Sequence, residues 1–151
     1  LGVMRPGRVA WLHDFNRLVI HGNGWNATTV GIEIDGLYAG VDGDPRTVWN
    51  DPSTPYREQG QTLTTAALDA ACETIRWIVS EVAKRGGEVT KLVAHRQSSK
   101  DRRDDPGSAI WKGVALPMMA ELGLDDGGPG FTIGGLAIPE EWDPSRTRWK
   151  Y

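Results

Sequence analysis

The residues with the clearest chemical potential are a histidine and an aspartate ten positions apart. His95 follows a short apolar run, and Asp105 stands directly before a Pro-Gly pair. A loop of this length can fold back on its own strand, and an imidazole and a carboxylate brought together in this way are suitable zinc ligands. A catalytic zinc needs one more protein ligand and an open position for water. Taken alone, such a pair is more often a hydrogen-bonded structural histidine and an ordinary turn.

The second candidate group is a glycine-rich segment that has a histidine before it, His21, and a carboxylate after it, Glu33. Beside a zinc-bound water, Glu33 can take the proton as the water attacks a carbonyl and return it to the leaving nitrogen. The alternative is a solvated acid on the polar face of a half-exposed strand. The glycines Gly22, Gly24 and Gly31 do not form a dinucleotide-binding fingerprint, because no helix follows at the required place.

The elements that must position these residues predict an α/β fold with a mixed central β-sheet flanked by helices. Alternating and β-branched runs predict strands over Arg17–His21 and Thr29–Ile34. A further strand, Val89–Ala94, delivers His95 to its C-terminal end, where α/β folds place chemistry. The segment Gly40–Gln61, rich in prolines and glycines, is expected to be a long surface loop that could hold part of a groove.

Two helices are predicted from three- and four-residue spacing of apolar side chains. The clearer one spans Thr65–Arg85, with Thr64 or Thr65 as its N-cap and Cys72 in the buried stripe as an inert core thiol. The other spans about Ser108–Leu122, and Pro117 should kink or divide it.

Length and charge exclude several classes of protein. The chain has 151 residues and a net charge of −3, so it lacks the basic footprint of a nucleic-acid-binding protein. Its apolar runs are far shorter than the roughly 20 residues that cross a bilayer. A chain of this size needs neither disulfides nor a metal to build a core, so a metal found here is suspected of function. We expect one domain over residues 1–124 and a Gly/Pro-rich extension over residues 125–151.

Taken together, the two motifs resemble the zinc-dependent N-acetylmuramoyl-L-alanine amidases of type 2, which share their fold with peptidoglycan recognition proteins. The resembling segments are, in order, His21-x-x-Gly-Trp25-Asn26-x-x-Thr-Val-Gly-Ile32, a helix preceded by Tyr56 and a glutamine, Leu92-Val-Ala-His95, and Asp105-Pro-Gly107. The resemblance runs from about Val3 to about Leu122. It implies a shallow groove for peptidoglycan and hydrolysis of the amide that joins the lactyl group of N-acetylmuramic acid to L-alanine.

The resemblance also implies roles for individual residues. His95 and Asp105 match two of the family's zinc ligands, and Glu33 matches the glutamate that some members use as general base. Arg103 stands where many members have a lysine near the scissile carbonyl, and a guanidinium can likewise stabilise an oxyanion. Its alternative role is a solvated member of the charged run at 100–104.

The turn residues His21, Trp25 and Asn26 match the border of the family's substrate groove. Trp25 can stack on a sugar or on the peptide stem, and its alternative role is to cover the sheet edge. His21 could replace a zinc ligand only if the strand geometry differs from that of the family, and His13 is expected to be structural.

The family's first zinc histidine ends a strand upstream of Val3, and this chain has nothing upstream. The missing ligand lies on a separate or cleaved piece or in an unrecorded part of the chain, or the protein has lost its zinc. Loss of zinc would leave a non-catalytic peptidoglycan-binding module. A third alternative is an amidase-like domain of a larger phage or secreted assembly, with Trp142, Trp149 and Tyr151 as candidate anchors. From this substrate we expect the protein at the cell wall, in the periplasm, outside the cell or associated with a phage particle.

Overall fold

The computed structural model describes residues 1–48 and 61–144. Its strands are β1 (Gly2–Val3), β2 (Val9–Ala10), β3 (Glu33–Ile34), β4 (Ala39–Val41) and β5 (Asp44–Val48). The first sheet has the order β2-β1-β3, in which β1 pairs antiparallel with β2 and parallel with β3. Strands β4 and β5 form a separate antiparallel hairpin. The sheet is therefore mixed, and with the helices that pack on it the predicted α/β class is confirmed.

The long helix predicted from the apolar stripe is confirmed as α1 (Thr65–Lys84). Thr64 is the N-cap, and its hydroxyl accepts a hydrogen bond from Ala67 N at 3.1 Å. The buried face of α1 packs on fully buried Val3 of the central strand β1, and Cys72 lies in this core. Sheet and helix thus share one apolar layer beneath the candidate site.

The second helical stretch has three parts, α2 (Ser108–Ile110), a π-helical turn (Trp111–Ala115) and α3 (Leu116–Leu122). The π turn ends just before Pro117, where Leu116 N–H bonds to Trp111 O, five residues back. Because Pro117 has no N–H and its ring crowds the carbonyl four residues earlier, a regular α-helix cannot run through this point unchanged. The expected disturbance at Pro117 takes the form of this π-helical turn, with Pro117 in the first turn of α3, and the helical stretch continues to Leu122.

The strand predicted over Arg17–His21 is wrong. The segment is irregular, and the side chains of Leu18 and Ile20 are 74% and 88% exposed. A strand needs a partner for its backbone groups, and among the described strands β1 takes the position beside β3. The strand predicted over Thr29–Ile34 is confirmed only for its last two residues, Glu33–Ile34.

Two further predictions are corrected in part. Residues Val89–Ala94 make only an isolated parallel bridge, Lys91 to Asp125, because the chain beyond α3 meets them at this one point. The segment Gly40–Gln61 is not all loop, since it begins within the β4–β5 hairpin. Its remainder from residue 49 to 60, with Tyr56, lies outside the described residues.

The segment after α3 packs back on the domain as far as it is described. Trp142 is buried beside Trp111, Ala94 and Ile138 in a second apolar cluster. Its indole N–H donates to Gly40 O in the hairpin. The other two candidate anchors, Trp149 and Tyr151, lie outside the described residues. Within those residues, no helix is both long and apolar enough to span a membrane.

Candidate active site

A cavity of about 290 Å³ opens between β3, the turn at residues 21–25 and the loop from His95 to Asp105. The polar and aromatic side chains that matter for chemistry all line it: His21, Trp25, Glu33, His95, Arg102 and Asp105. Five of the seven residues singled out in the sequence therefore meet around one space. The other two, Asn26 and Arg103, lie outside its lining.

His95 and Asp105 are brought together by the loop between them. Nδ1 of His95 lies 3.3 Å from Oδ2 of Asp105, and both side chains are about a quarter exposed. The backbone N–H of Arg96 donates to Asp105 O at 3.2 Å, which closes the loop on itself. Nη1 of Arg102 donates to the same Oδ2 at 3.5 Å. The carboxylate thus sits between an imidazole and a guanidinium at the cavity wall.

The donor pair fits part of a zinc site. A tetrahedral zinc with bonds of about 2.0–2.2 Å holds nitrogen and oxygen donors about 3.3–3.5 Å apart, which is the separation of His95 and Asp105. Across residues 1–48 and 61–144, however, no three His, Cys, Asp or Glu side chains converge to hold a metal. The described residues therefore offer two of the ligands that such a site would need.

His21 is held away from the role of third ligand. Its Nδ1 lies 2.7 Å from Val19 O and its Nε2 lies 2.9 Å from Thr29 Oγ1, so both ring nitrogens already have partners. Asn26 shapes the same turn, since its Oδ1 accepts hydrogen bonds from the backbone N–H groups of His21 and Gly22. The two residues build the cavity border through these bonds.

Trp25 lies at the cavity, and its stacking on a substrate stays a prediction. The ring lines the cavity, and it is stacked nearly parallel on Phe131, with ring centroids 6.3 Å apart and planes at 14°. Glu33, on β3, is exposed at the cavity edge. Its backbone is fixed by pairing with β1, so the carboxylate is presented from a defined strand position.

Arg103 points elsewhere in the described structure. Its side chain is 71% exposed, and its Nε lies 3.4 Å from Asp104 Oδ2. The neighbouring Arg102 is the arginine that lines the cavity. The role suggested for Arg103 stays a prediction, with Arg102 as a second candidate.

Sequence reasoning missed three residues of this site. Arg102 and Asp104 line the cavity, and Gln97 is completely buried behind it. The charged run containing the first two looked like a solvated loop. One signal could have indicated Gln97: it stands two residues after His95, so its side chain can reach the backbone just before His95.

A family model described as N-acetylmuramoyl-L-alanine amidase matches residues 1–108. No curated protein and no solved structure matches the chain. The family match covers more than two thirds of the sequence, and the cavity residues named above all lie within it. The chain therefore belongs to the type 2 N-acetylmuramoyl-L-alanine amidases, a family of peptidoglycan amidases.

Proposed function

We propose that this protein hydrolyses the amide between N-acetylmuramic acid and L-alanine in peptidoglycan. The observation that carries the proposal is the meeting of Glu33, His95 and Asp105 around one cavity. A module that only binds peptidoglycan has no chemical need for all three. Trp25 in the cavity lining offers a ring on which part of a larger substrate can stack.

We assign His95 and Asp105 as two zinc ligands on the basis of their donor types and separation. Zinc held there would activate water as a nucleophile and polarise the amide carbonyl. The described residues offer no third ligand. A third ligand would have to come from outside the described residues, for example from a separate piece of chain.

The remaining steps belong to the chain's own side chains. Glu33 accepts the proton of the attacking water and delivers it to the leaving nitrogen of L-alanine, so one carboxylate serves as base and then as acid. An arginine, Arg103 by resemblance or Arg102 by position, stabilises the negative charge on the carbonyl oxygen. Trp25 stacks on the sugar or the peptide stem, and His21 and Asn26 hold the turn that carries it.

The second candidate function is a peptidoglycan-binding module without catalysis. It is favoured by one specific observation, the shortage of a third ligand among the described residues. The same cavity and Trp25 would serve binding alone.

Zinc content and muropeptide cleavage, measured on the same purified sample, test the proposal. Elemental analysis with about one zinc per chain, together with release of L-alanine-terminated peptides, would support it. Binding of peptidoglycan without zinc and without cleavage, even after zinc is added, would favour the binding module instead. His95→Ala should lose zinc and cleavage, since it removes a proposed ligand. His13→Ala is its control and should retain both, because His13 is exposed and lies outside the cavity lining.

A further inference from the structure

The residues after α3, from 125 to 144, lie beyond the family match and yet touch both halves of the site. We call them the tail segment. They contact the short helix His95–Gln97, which begins with the candidate zinc ligand, and the turn that carries Trp25.

Gln97 is the main connection between the tail segment and the site. Its Nε2 donates to Asp126 O at 3.0 Å and to Phe131 O at 3.2 Å. Its backbone oxygen accepts hydrogen bonds from Ile133 N at 2.8 Å and Gly135 N at 3.1 Å. On the other side, its Oε1 accepts from Ala94 N at 2.9 Å, directly before His95. One fully buried side chain thus joins the tail segment to the backbone that places His95.

Arg96 makes a second connection at the same helix. Its guanidinium lies 4.9 Å from the ring centroid of Trp142, and its Nη1 donates to Arg103 O in the loop before Asp105. Its backbone oxygen accepts from Leu136 N at 2.7 Å. Arg96 therefore connects the tail segment with the short helix His95–Gln97 and with the loop before Asp105.

The approach of the tail segment is so close that only glycine fits at one point. A Cβ at Gly135 would collide with the backbone oxygen of Arg96 and the backbone nitrogen of Ser99. The backbone of the tail segment therefore contacts the backbone at residues 96–99 directly, and only a glycine at position 135 allows this approach.

From these contacts we infer that the tail segment is a working part of the site, in which Gln97 positions His95 and Phe131 positions Trp25. Both are positioning residues, since they act through the side chains that face the cavity. The inference rests on the proposed function for the meaning of the site. It also implies that residues 1–124 alone do not make a competent domain.

Three variants and one control test this inference. Gln97→Ala removes the side-chain hydrogen bonds to Asp126 O and Phe131 O and the bond from Ala94 N, while the backbone bonds from the tail segment to Gln97 O remain. We expect zinc affinity about 10–100-fold lower, the usual effect of losing a residue that orients a ligand. Amide hydrogen exchange over residues 95–105 should accelerate in the same variant. Gly135→Ala should act in the same direction. Phe131→Leu should raise KM several-fold and leave kcat unchanged, because it disturbs only the substrate platform.

The control is Met118→Ala, which opens a cavity in the core at a side chain that does not line the site. It should lower the melting temperature but leave exchange over residues 95–105 and zinc affinity close to the parent values. If Gln97→Ala lowers the melting temperature but leaves exchange over residues 95–105 and zinc affinity unchanged, the inference is wrong. If the parent protein binds no zinc, the proposed function fails, and the exchange experiment still decides the positioning role. If Gln97→Ala does not fold, exchange of the 21–26 turn in Phe131→Leu decides it, and unchanged exchange there would overturn the inference.

Discussion

His95 Nδ1 lies 3.3 Å from Asp105 Oδ2, the same oxygen that Arg102 approaches to 3.5 Å. A metal bound to this oxygen would share it with the guanidinium. The carboxylate is therefore held in place before any ligand binds, which reduces the cost of organising the site.

Asp105→Ala should lower zinc affinity strongly, since it removes one of only two ligands that the described residues offer. Competition with a chromogenic chelator measures the change. Asp101→Ala is the matched control, because it removes an exposed acid from the same loop outside the cavity lining. Equal zinc affinity in Asp105→Ala and the parent protein would remove Asp105 from the ligand set.

Glu33→Gln should retain zinc and substrate binding and lose about 10²–10⁴-fold in kcat, the usual contribution of a positioned general base. Steady-state cleavage of a defined muropeptide gives kcat and KM separately. Glu88→Gln changes an exposed glutamate away from the cavity and should behave as the parent does. A kcat unchanged by Glu33→Gln would assign the proton transfer to another group.

Substitution of Arg102 and of Arg103 should affect kcat differently, because only one of the two arginines lines the cavity where the oxyanion would form. Arg102 lines the cavity, whereas Arg103 is mostly exposed and paired with Asp104. On this geometry Arg102→Ala should lower kcat by about 100-fold, and Arg103→Ala should leave it close to unchanged. The reverse ranking would return the role to Arg103, the residue indicated by the family resemblance.

How far the sequence could predict the fold depended on whether each signal was local. Helix α1 was predictable because its cap, Thr64, and its apolar stripe lie within one stretch of chain. The run at 17–21 has the composition of a strand, but a strand forms only with a partner, and its pattern contains no information about one. The partner of Glu33–Ile34 is Gly2–Val3, about thirty residues earlier. A two-residue pattern contains too little information to predict such a distant pairing.

The candidate site followed the same division. His95 and Asp105 were predictable as a pair because they close one loop. Gln97 was missed because its side chain bonds to residues 29 and 34 positions away in sequence. Phe131 was missed because its ring stacks on Trp25, which lies far earlier in the chain. Arg102 and Arg103 are adjacent and chemically identical, so only the fold distinguishes them.

Thr64→Ala should lower the free energy of unfolding by about 1 kcal/mol, the typical cost of losing an N-cap. The hydroxyl accepts from Ala67 N and donates to Arg5 O at 2.6 Å, so both bonds are lost. Urea denaturation measures the change. Thr90→Ala, an exposed threonine outside the helices, should change stability little. An equal effect of the two substitutions would contradict the capping role.

Cys72 should react slowly with alkylating reagents in the folded protein. Burial raises the pKa of the Cys72 thiol, so less of the reactive thiolate exists at any given pH below that pKa. Each unit of increase lowers the thiolate fraction about tenfold, and the packed core further limits access. Because the sequence contains one cysteine, mass spectrometry after iodoacetamide treatment reports on this side chain alone. Modification in urea should be at least about tenfold faster than in buffer at the same pH. Equal rates would show that the thiol is accessible and that the apolar stripe of α1 does not enclose it.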